Sequence, residues 1–274
     1  MTHQRMYADA DGNPAIQESV LLYLDELGTK ARLPTLNDDG LRASLRDYKD
    51  IDHWFIGDPD LDSVQRSLRF SDNTVVASPV TDSDDGGAFN HVSAAAHYQF
   101  ALALRGHFLR GAITRGPVYI ASGYVTGQAL AEAVLLEETQ AIFPRVLLQR
   151  SLWHGIIRES QYEAIPSHSP YNQYVLVDSD GELFVNYLGA SLEELMPEDP
   201  LHGRGIAARH RDAVAAKLDE HANNEHVRRK YAWTAGYHNW VCAALFDDPE
   251  EFLIGTSLDH LETTYPRTFR TVVA

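Results

Sequence analysis

The sequence has 274 residues, 23 lysines and arginines against 39 acidic residues, a formal net charge of −16 and one cysteine. This length allows one large domain with a buried core. The acidic balance excludes a general nucleic-acid binder, whose affinity depends on basic surface. A small polyanion could still bind through metal ions or a locally basic pocket.

The cellular setting follows from the same composition. Cys242, the single cysteine, excludes an intrachain disulfide and a cysteine-based zinc site, as is typical of a reducing cytoplasm. The first residues have no apolar signal-peptide core, and no apolar run approaches the roughly 18 residues of a membrane span. We therefore expect a soluble, cytoplasmic protein with no nucleic-acid partner and no membrane partner.

The first predicted element is a strand that ends in carboxylates. Residues 20–24 are all apolar, as in a strand buried on both faces, and Asp25, Glu26 and then Gly28 follow. Gly28 lets the next backbone segment turn closely around a bound anion. An isolated Asp25 is more typical of a turn cap than of a ligand, so a ligand role requires a partner for it.

The next elements predict an α+β fold. Apolar residues at helical spacing, alternating strand patterns and turn residues define them. In chain order after the first strand, they are a helix over 41–51, a turn at 56–62, a β-hairpin over 63–78 with Asp72 at its tip, a helix over 90–107, a strand over 110–120, a helix over 127–140 and a strand over 145–148. This is the βαββαβ order of ferredoxin-like antiparallel sheets, extended by one helix and one strand.

The C-terminal part adds a hairpin and helices. Residues 151–170 show a mixed pattern, segments 174–177 and 183–188 predict a second hairpin, and residues 204–220 and 224–246 predict helices. We expect an N-terminal tail at 1–18, a core at 19–150, and an extension at 151–274 packed on the core as one structural unit.

Asp25 and Asp72 are the candidate site. In a βαββαβ sheet the end of the first strand and the following hairpin tip lie at one end of adjacent strands, so both carboxylates face one crevice. Paired carboxylates repel unless a cation lies between them, and hard oxygen ligands suit Mg²⁺ or Mn²⁺. Asp58 is the rejected rival, because Pro59 interrupts the strand that should follow it.

These residues carry a family resemblance. The segments LYLDELGTK, RFSDNTVVAS, RGAITRGPVYI and VTGQALAEAVLLEE together resemble the catalytic core of class III nucleotidyl cyclases over about residues 18–150. The resemblance implies synthesis of a 3′,5′-cyclic nucleotide and pyrophosphate from a nucleoside triphosphate. It also implies a site at a dimer interface, with two ions of Mn²⁺ or Mg²⁺ per site.

The resemblance assigns roles to the residues around the first strand. Asp25 and Asp72 match the metal-binding aspartates, and Glu26 matches a position whose backbone carbonyl helps to hold a metal. The backbone amides of four residues match the turn that receives the β and γ phosphates: Leu27, Gly28, Thr29 and Lys30.

The sequence departs from the purine cyclases at the base and transition-state positions. Gln128, Ala131 and Leu135 replace a base-reading residue, an asparagine and an arginine, and the strand before Asp72 contains no lysine where the purine-reading lysine belongs. Loss of these groups fits either an inactive domain or a pocket for a different base. Retention of both aspartates favours a different base.

The whole chain, including FVNYLG at 184–189 and VRRKYAWTAGYHN at 227–239, is similar to the bacterial pyrimidine cyclases of Pycsar antiphage defence. This implies a homodimer that uses UTP, which family frequency favours, or CTP, and a separate effector protein that responds to cyclic UMP or cyclic CMP. Tyr48 is the candidate base reader, because a hydroxyl both donates and accepts. Arg69 and Arg115 are candidate phosphate ligands.

Other interpretations stay open on the sequence alone. Tyr48 could be a core tyrosine, and Arg69 and Arg115 could be solvated strand residues. The chain could also be a purine cyclase, or a cyclase-like module that binds nucleotide or dimerises without catalysis.

Overall fold

One mixed sheet organises the protein. The computed structural model describes residues 6–55, 66–81, 87–121, 123–160, 162–197, 199–255 and 269–271. Within these ranges the strands form a single sheet in the order β2-β3-β1-β4-β6-β8-β7-β9, with β5 also paired to β4. The β4–β6 pair is parallel and the other pairs are antiparallel. The strands are β1 (Gln17–Glu26), β2 (Arg66–Phe70), β3 (Asn73–Pro79), β4 (Leu109–Ala121), β5 (Tyr124–Gly127), β6 (Val146–Leu148), β7 (Val175–Val177), β8 (Leu183–Val185) and β9 (Arg270–Thr271).

Helices cover both faces of this sheet. They are α1 (Thr29–Arg32), α2 (Asp38–Phe55), α3 (Ala88–Ala103), α4 (Gln128–Thr139), α5 (Arg150–Arg158), α6 (Tyr187–Leu195), α7 (Pro200–Glu220) and α8 (Glu225–Leu245). Val20, Leu21, Leu22 and Leu24 are buried although successive strand residues face opposite sides. The all-apolar run therefore fits a central strand that is covered on both faces.

The predicted α+β fold and its βαββαβ order are confirmed. The strand ending at Glu26, the hairpin with Ser71 and Asp72 at its turn, and the helices that follow all occur in the expected order. Ser71 has a positive φ of 56°, which the tight turn imposes. The turn predicted at 56–62, including Asp58, lies outside the described residues.

Two predicted segments differ from the structure. Part of the mixed region 151–170 is a helix, α5, and the strand predicted over 183–188 ends at Val185. Asn186 ends β8, because its amide side chain donates to the Gln173 carbonyl at 2.7 Å and accepts from Tyr237 Oη at 2.8 Å. Helix α6 starts immediately afterwards.

The C-terminal segment is joined to the rest through the sheet and a buried ion pair. Arg145 is 1% exposed and pairs with Asp178 and with Asp180. Trp233 Nε1 donates to Asp178 Oδ2 at 2.8 Å. Arg145 directly precedes β6, so this cluster connects that strand, the β7–β8 turn and α8. A buried charge without such partners would be costly.

Helix α8 buries the stripe that its periodicity predicts. Tyr231, Ala235, His238 and Cys242 are each at most 2% exposed. The Tyr231 ring packs edge-on against Phe108 at 5.4 Å, next to the start of β4. Among the described residues, no helix has the length and apolar character needed to cross a membrane.

Candidate functional site

The strand register places Asp25 and Asp72 side by side at one end of the sheet. Asp25 lies opposite Asn73, the first residue of β3, and the Glu26 amide donates to the Asp72 carbonyl at 3.3 Å. The Asp72 charge contributes to the pKa of Asp25, so the two carboxylates interact electrostatically. The structure thus brings together the two aspartates that the sequence predicts to share a crevice.

The turn after Asp25 leaves a set of amides without backbone acceptors. Gly28 has a φ of 89°, a conformation that glycine adopts without strain, and α1 begins at the next residue. In the described part of the chain, the amides of Gly28, Thr29 and Lys30 make no hydrogen bond to a backbone carbonyl. Leu27 differs from its expected role, because its amide donates to the Phe108 carbonyl at 2.9 Å.

Arg110 is a site residue that the sequence did not single out. It lies opposite Asp25 on β4, and its Nε and Nη2 donate to Asp25 Oδ2 at 3.1 and 3.0 Å. The same Nη2 is 2.6 Å from Glu137 Oε1 on α4. One guanidinium therefore lies between two carboxylates.

Burial determines the pKa values of this cluster. Burial raises the pKa of Asp25, Arg110 opposes the rise, and Asp72 adds to it. Burial also raises the pKa of Glu137; the Arg110 charge lowers this pKa, and the Asp25 charge raises it further. A cation in addition to Arg110 would therefore favour the charged forms.

Lys230 extends the cluster from the C-terminal helix α8. Burial lowers the pKa of its ammonium, Arg110 lowers it further, and Glu137 and Asp25 oppose this effect. Tyr231, the next residue, contacts Phe108 beside β4. The arginine and lysine run at 228–230 thus contributes one residue to the surroundings of Asp25, which sequence periodicity alone did not specify.

Tyr48 occupies a different position from the one its predicted role requires. It is 7% exposed, and its hydroxyl donates to Glu26 Oε2 at 2.6 Å. Glu26 also accepts from Arg32 at 2.7 Å and from His107 Nδ1 at 2.8 Å. Tyr48 is thus a core tyrosine within the chain, and its hydroxyl is not presented to a base.

The Glu26 carboxylate is stabilised in its charged form. Burial raises its pKa, but hydrogen bonds and charges from His107, Tyr48 and Arg32 outweigh burial, and the net pKa lies below its ordinary value. The Glu26 carbonyl, the predicted metal ligand, accepts from Thr29 Oγ1 at 3.1 Å. That bond leaves the second lone pair of the carbonyl oxygen for another partner.

Arg69 lies on the other face of the sheet from Asp25. It is opposite Thr74, which is opposite Leu24, and residues that follow one another in a strand face opposite sides. Its guanidinium binds Asp52 at 2.9 Å and lies 3.6 Å from the Tyr48 ring centroid. The structure therefore does not place Arg69 with Asp25 and Asp72.

Arg115 also lies away from the two aspartates. It is five residues beyond Arg110 on β4, about 17 Å along a strand. It pairs with Glu18 at 3.2 Å on the surface. Within one chain, the structure therefore does not place Arg115 with Asp25 and Asp72.

The oxygen atoms beside Asp25 supply some, but not all, of the ligands that a divalent cation needs. Asp25, Asp72 and the Glu26 carbonyl are the hard oxygen donors that Mg²⁺ and Mn²⁺ prefer. No group of three or more His, Cys, Asp or Glu side chains suited to a metal occurs in the described part of the chain. The remaining ligands of an ion here would be water and the phosphates of a substrate, which is how Mg²⁺ commonly binds.

Comparisons with solved structures give similarity to cyclase catalytic domains. The guanylyl cyclase Cya2 matches with 18% identity and a TM-score of 0.38, over 54% of this chain and 79% of that one. The catalytic core of a rhodopsin-guanylyl cyclase with converted specificity, in complex with ATPαS, matches with 12% identity and a TM-score of 0.39, over 62% and 96%. An adenylate/guanylate cyclase/hydrolase from Silicibacter pomeroyi matches with 18% identity and a TM-score of 0.36, over 53% and 81%.

No family model and no curated protein matches the sequence.

Proposed function

We propose that this protein is a nucleotidyl cyclase that converts UTP or CTP into the 3′,5′-cyclic nucleotide and pyrophosphate. The observation that carries this proposal is the adjacency of Asp25 and Asp72 beside the Gly28 turn. Two carboxylates and a set of amides without backbone acceptors lie together at one end of the sheet. This arrangement suits a divalent cation bound to a triphosphate.

The residues of the site would have different roles in such a reaction. Asp25 and Asp72 hold the cations, and the amides of Gly28, Thr29 and Lys30 bind the β and γ phosphates. Bound Mn²⁺ or Mg²⁺ would lower the pKa of the ribose 3′-hydroxyl and neutralise the leaving pyrophosphate. Lys30 and Lys230 add positive charge near Asp25, as their electrostatic interaction with its carboxylate indicates.

A homodimer is part of the proposal. Gln128, Ala131 and Leu135 are exposed on α4, whereas Ala129, Ala133 and Glu137 face the sheet. The positions that match the base-reading and transition-state residues of purine cyclases thus point away from the chain's own Asp25. This orientation supports a site completed by a second copy, and Leu135, 58% exposed, gives that surface an apolar contact.

The choice of a pyrimidine rests on sequence. Gln128 replaces the base-reading residue of purine cyclases, the strand before Asp72 contains no purine-reading lysine, and the chain resembles pyrimidine cyclases. Antiphage second-messenger signalling through a separate effector protein belongs to the same proposal and has the same support.

Incubation with each of the four ribonucleoside triphosphates and Mn²⁺, followed by mass spectrometry of the products, tests the substrate. We expect cyclic UMP or cyclic CMP, and no product when EDTA removes the metal. A cyclic purine product would show that the base assignment is incorrect.

One observation favours a second candidate, a nucleotide-binding module without catalysis. Arg110 already places a cation against Asp25, so the carboxylate has a partner without a metal. This candidate predicts triphosphate binding with no cyclic product from any of the four nucleotides.

A further inference from the structure

A cavity lies on the other side of the sheet from Asp25. It has a volume of about 520 Å³ and lies between the end of α1, the loop at 104–107 and helix α7. Arg32 and His107 contribute to its wall, and both bind the Glu26 side chain. Because Glu26 follows Asp25 in β1, its side chain faces the opposite side, so this cavity is separate from the candidate cyclase site. Its size is that of a small-molecule pocket.

The cavity lining has more cationic than anionic side chains in a strongly acidic protein, and Glu26 and Asp47, outside the lining, pair with Arg32 and Arg105. Two carboxylates, Asp212 and Glu220, line it against four fixed cations. These cations are Arg32, Arg105, Arg209 and Lys217. The chain as a whole carries a net charge of −16. A local excess of positive charge in a concave site concentrates anions at that site.

Two of these cations have solvent-accessible partners, and a third has no side-chain partner. Arg105 lies 3.5 Å from Asp47, and Lys217 lies 2.7 Å from Glu220, which is 51% exposed. Exposed ion pairs contribute little to stability. Arg209 is exposed, and its side chain makes no hydrogen bond or ion pair with the described part of the chain. A ligand with several negative charges can therefore bind these cations, because little free energy is lost when it replaces their present ion pairs.

We propose that this cavity binds the oligophosphate group of a small molecule, such as pyrophosphate or a nucleoside triphosphate, without a divalent cation. Several separated cations around one cavity suit a chain of phosphates better than a single carboxylate, which would contact one of them. Arginine also binds phosphate oxygens through two parallel hydrogen bonds. The side chains supply the positive charge that the site at Asp25 would obtain from metal ions.

Arg32 connects the cavity to the Gly28 turn. Its guanidinium lines the cavity, and its backbone amide donates to the Gly28 carbonyl at 3.0 Å. Arg32 also holds Glu26, so we exclude it from mutational tests. The inference does not depend on the cyclase proposal, since it concerns different residues and requires no metal.

Titration calorimetry with pyrophosphate in EDTA tests the site. The protein for this test is the full chain carrying Asp25→Asn and Asp72→Asn, which removes the metal ligands of the candidate cyclase site. We expect binding that weakens as salt increases, and a loss of at least about tenfold when Arg209→Ala and Lys217→Ala are added. Arg158→Ala is the matched control, because it removes an exposed arginine on α5 away from the cavity, and it should leave affinity unchanged.

Three results would overturn the proposal: no binding in EDTA, equal affinity with and without Arg209 and Lys217, or equal loss in the Arg158 control. Circular dichroism of each variant verifies folding, and both cavity residues are solvent-accessible, so we expect intact spectra. UTP in place of pyrophosphate identifies the source of the phosphates. Equal affinities indicate that the oligophosphate alone is recognised, and tighter UTP binding indicates a nucleotide.

Discussion

Arg110 binds Asp25 through two hydrogen bonds to the same carboxylate oxygen, from Nε at 3.1 Å and from Nη2 at 3.0 Å. The guanidinium also contacts Glu137, which is buried. Arg110 thus neutralises carboxylates that would otherwise repel each other, and it leaves the second Asp25 oxygen for another partner. The cation that we propose would bind at this second oxygen and at Asp72.

Replacing Arg110 with glutamine should destabilise the protein. Asp25 and Glu137 would remain close together without their shared cation, and breaking a pair of this burial costs about 3 kcal/mol. Urea denaturation measures the free energy of unfolding. Arg115→Gln is the control on the same strand, since its exposed pair with Glu18 should contribute less than about 1 kcal/mol. Equal effects of the two substitutions would contradict this account.

Asp178→Ala should also be strongly destabilising. It would leave Arg145, which is 1% exposed, and the Trp233 N–H without their shared acceptor. The expected loss is about 3–5 kcal/mol, seen as a lower Tm. Asp180→Ala is the control, because Asp180 is 44% exposed and its loss leaves Asp178 in place. If the Asp180 variant lost as much stability as the Asp178 variant, the buried Arg145–Asp178 pair would not be the main source of stability in this cluster.

The buried pair His210 and His238 predicts acid sensitivity between about pH 6.5 and 4. The Phe252 carbonyl can only accept, so His238 Nε2 carries the proton, and His238 Nδ1 accepts from His210 Nδ1 at 3.0 Å. Burial lowers the pKa of His238 to about 4 and lowers that of His210. Between about pH 6.5 and pH 4 the unfolded chain therefore binds more protons than the folded chain. The free energy of unfolding is highest above about pH 6.5, as far as this pair determines it, and falls towards pH 4.

Chemical denaturation at a series of pH values measures this dependence. His210→Gln should reduce the slope of unfolding free energy against pH between 6.5 and 5, because one of the two buried titrating groups is gone. His226→Gln, at an exposed position on α8, should leave the slope unchanged. An unchanged slope in the His210 variant would show that the pair does not cause acid sensitivity.

The sequence predicted the features that depend on local patterns. The apolar run before Asp25, the hairpin turn at Ser71 and Asp72, and the helix periodicities establish which elements form. The sheet order then brings Asp25 and Asp72 to the same end. Both aspartates were therefore accessible to sequence reasoning.

The contacts that the sequence missed depend on register and on tertiary packing. Arg110 meets Asp25 because β4 pairs with β1 in one particular register, which its preceding loop does not specify. Tyr48 is on the predicted helix, but the rotation of α2 places its hydroxyl on Glu26 instead of in a pocket. Alternation along β2 would have placed Arg69 on the face opposite Asp25, once the register with Thr74 was known.

The most direct test of the central claim is cyclic nucleotide production from UTP or CTP with Mn²⁺ by wild type, Asp25→Asn and Asp72→Asn, each verified as folded by its thermal transition. We predict a cyclic pyrimidine product from wild type and a loss of at least about a hundredfold in each variant, because each removes a cation ligand. Arg158→Gln, which removes an exposed charge on α5 at a position with no assigned role in the site, should retain activity. Near-wild-type turnover by either aspartate variant would contradict the proposed role of the pair.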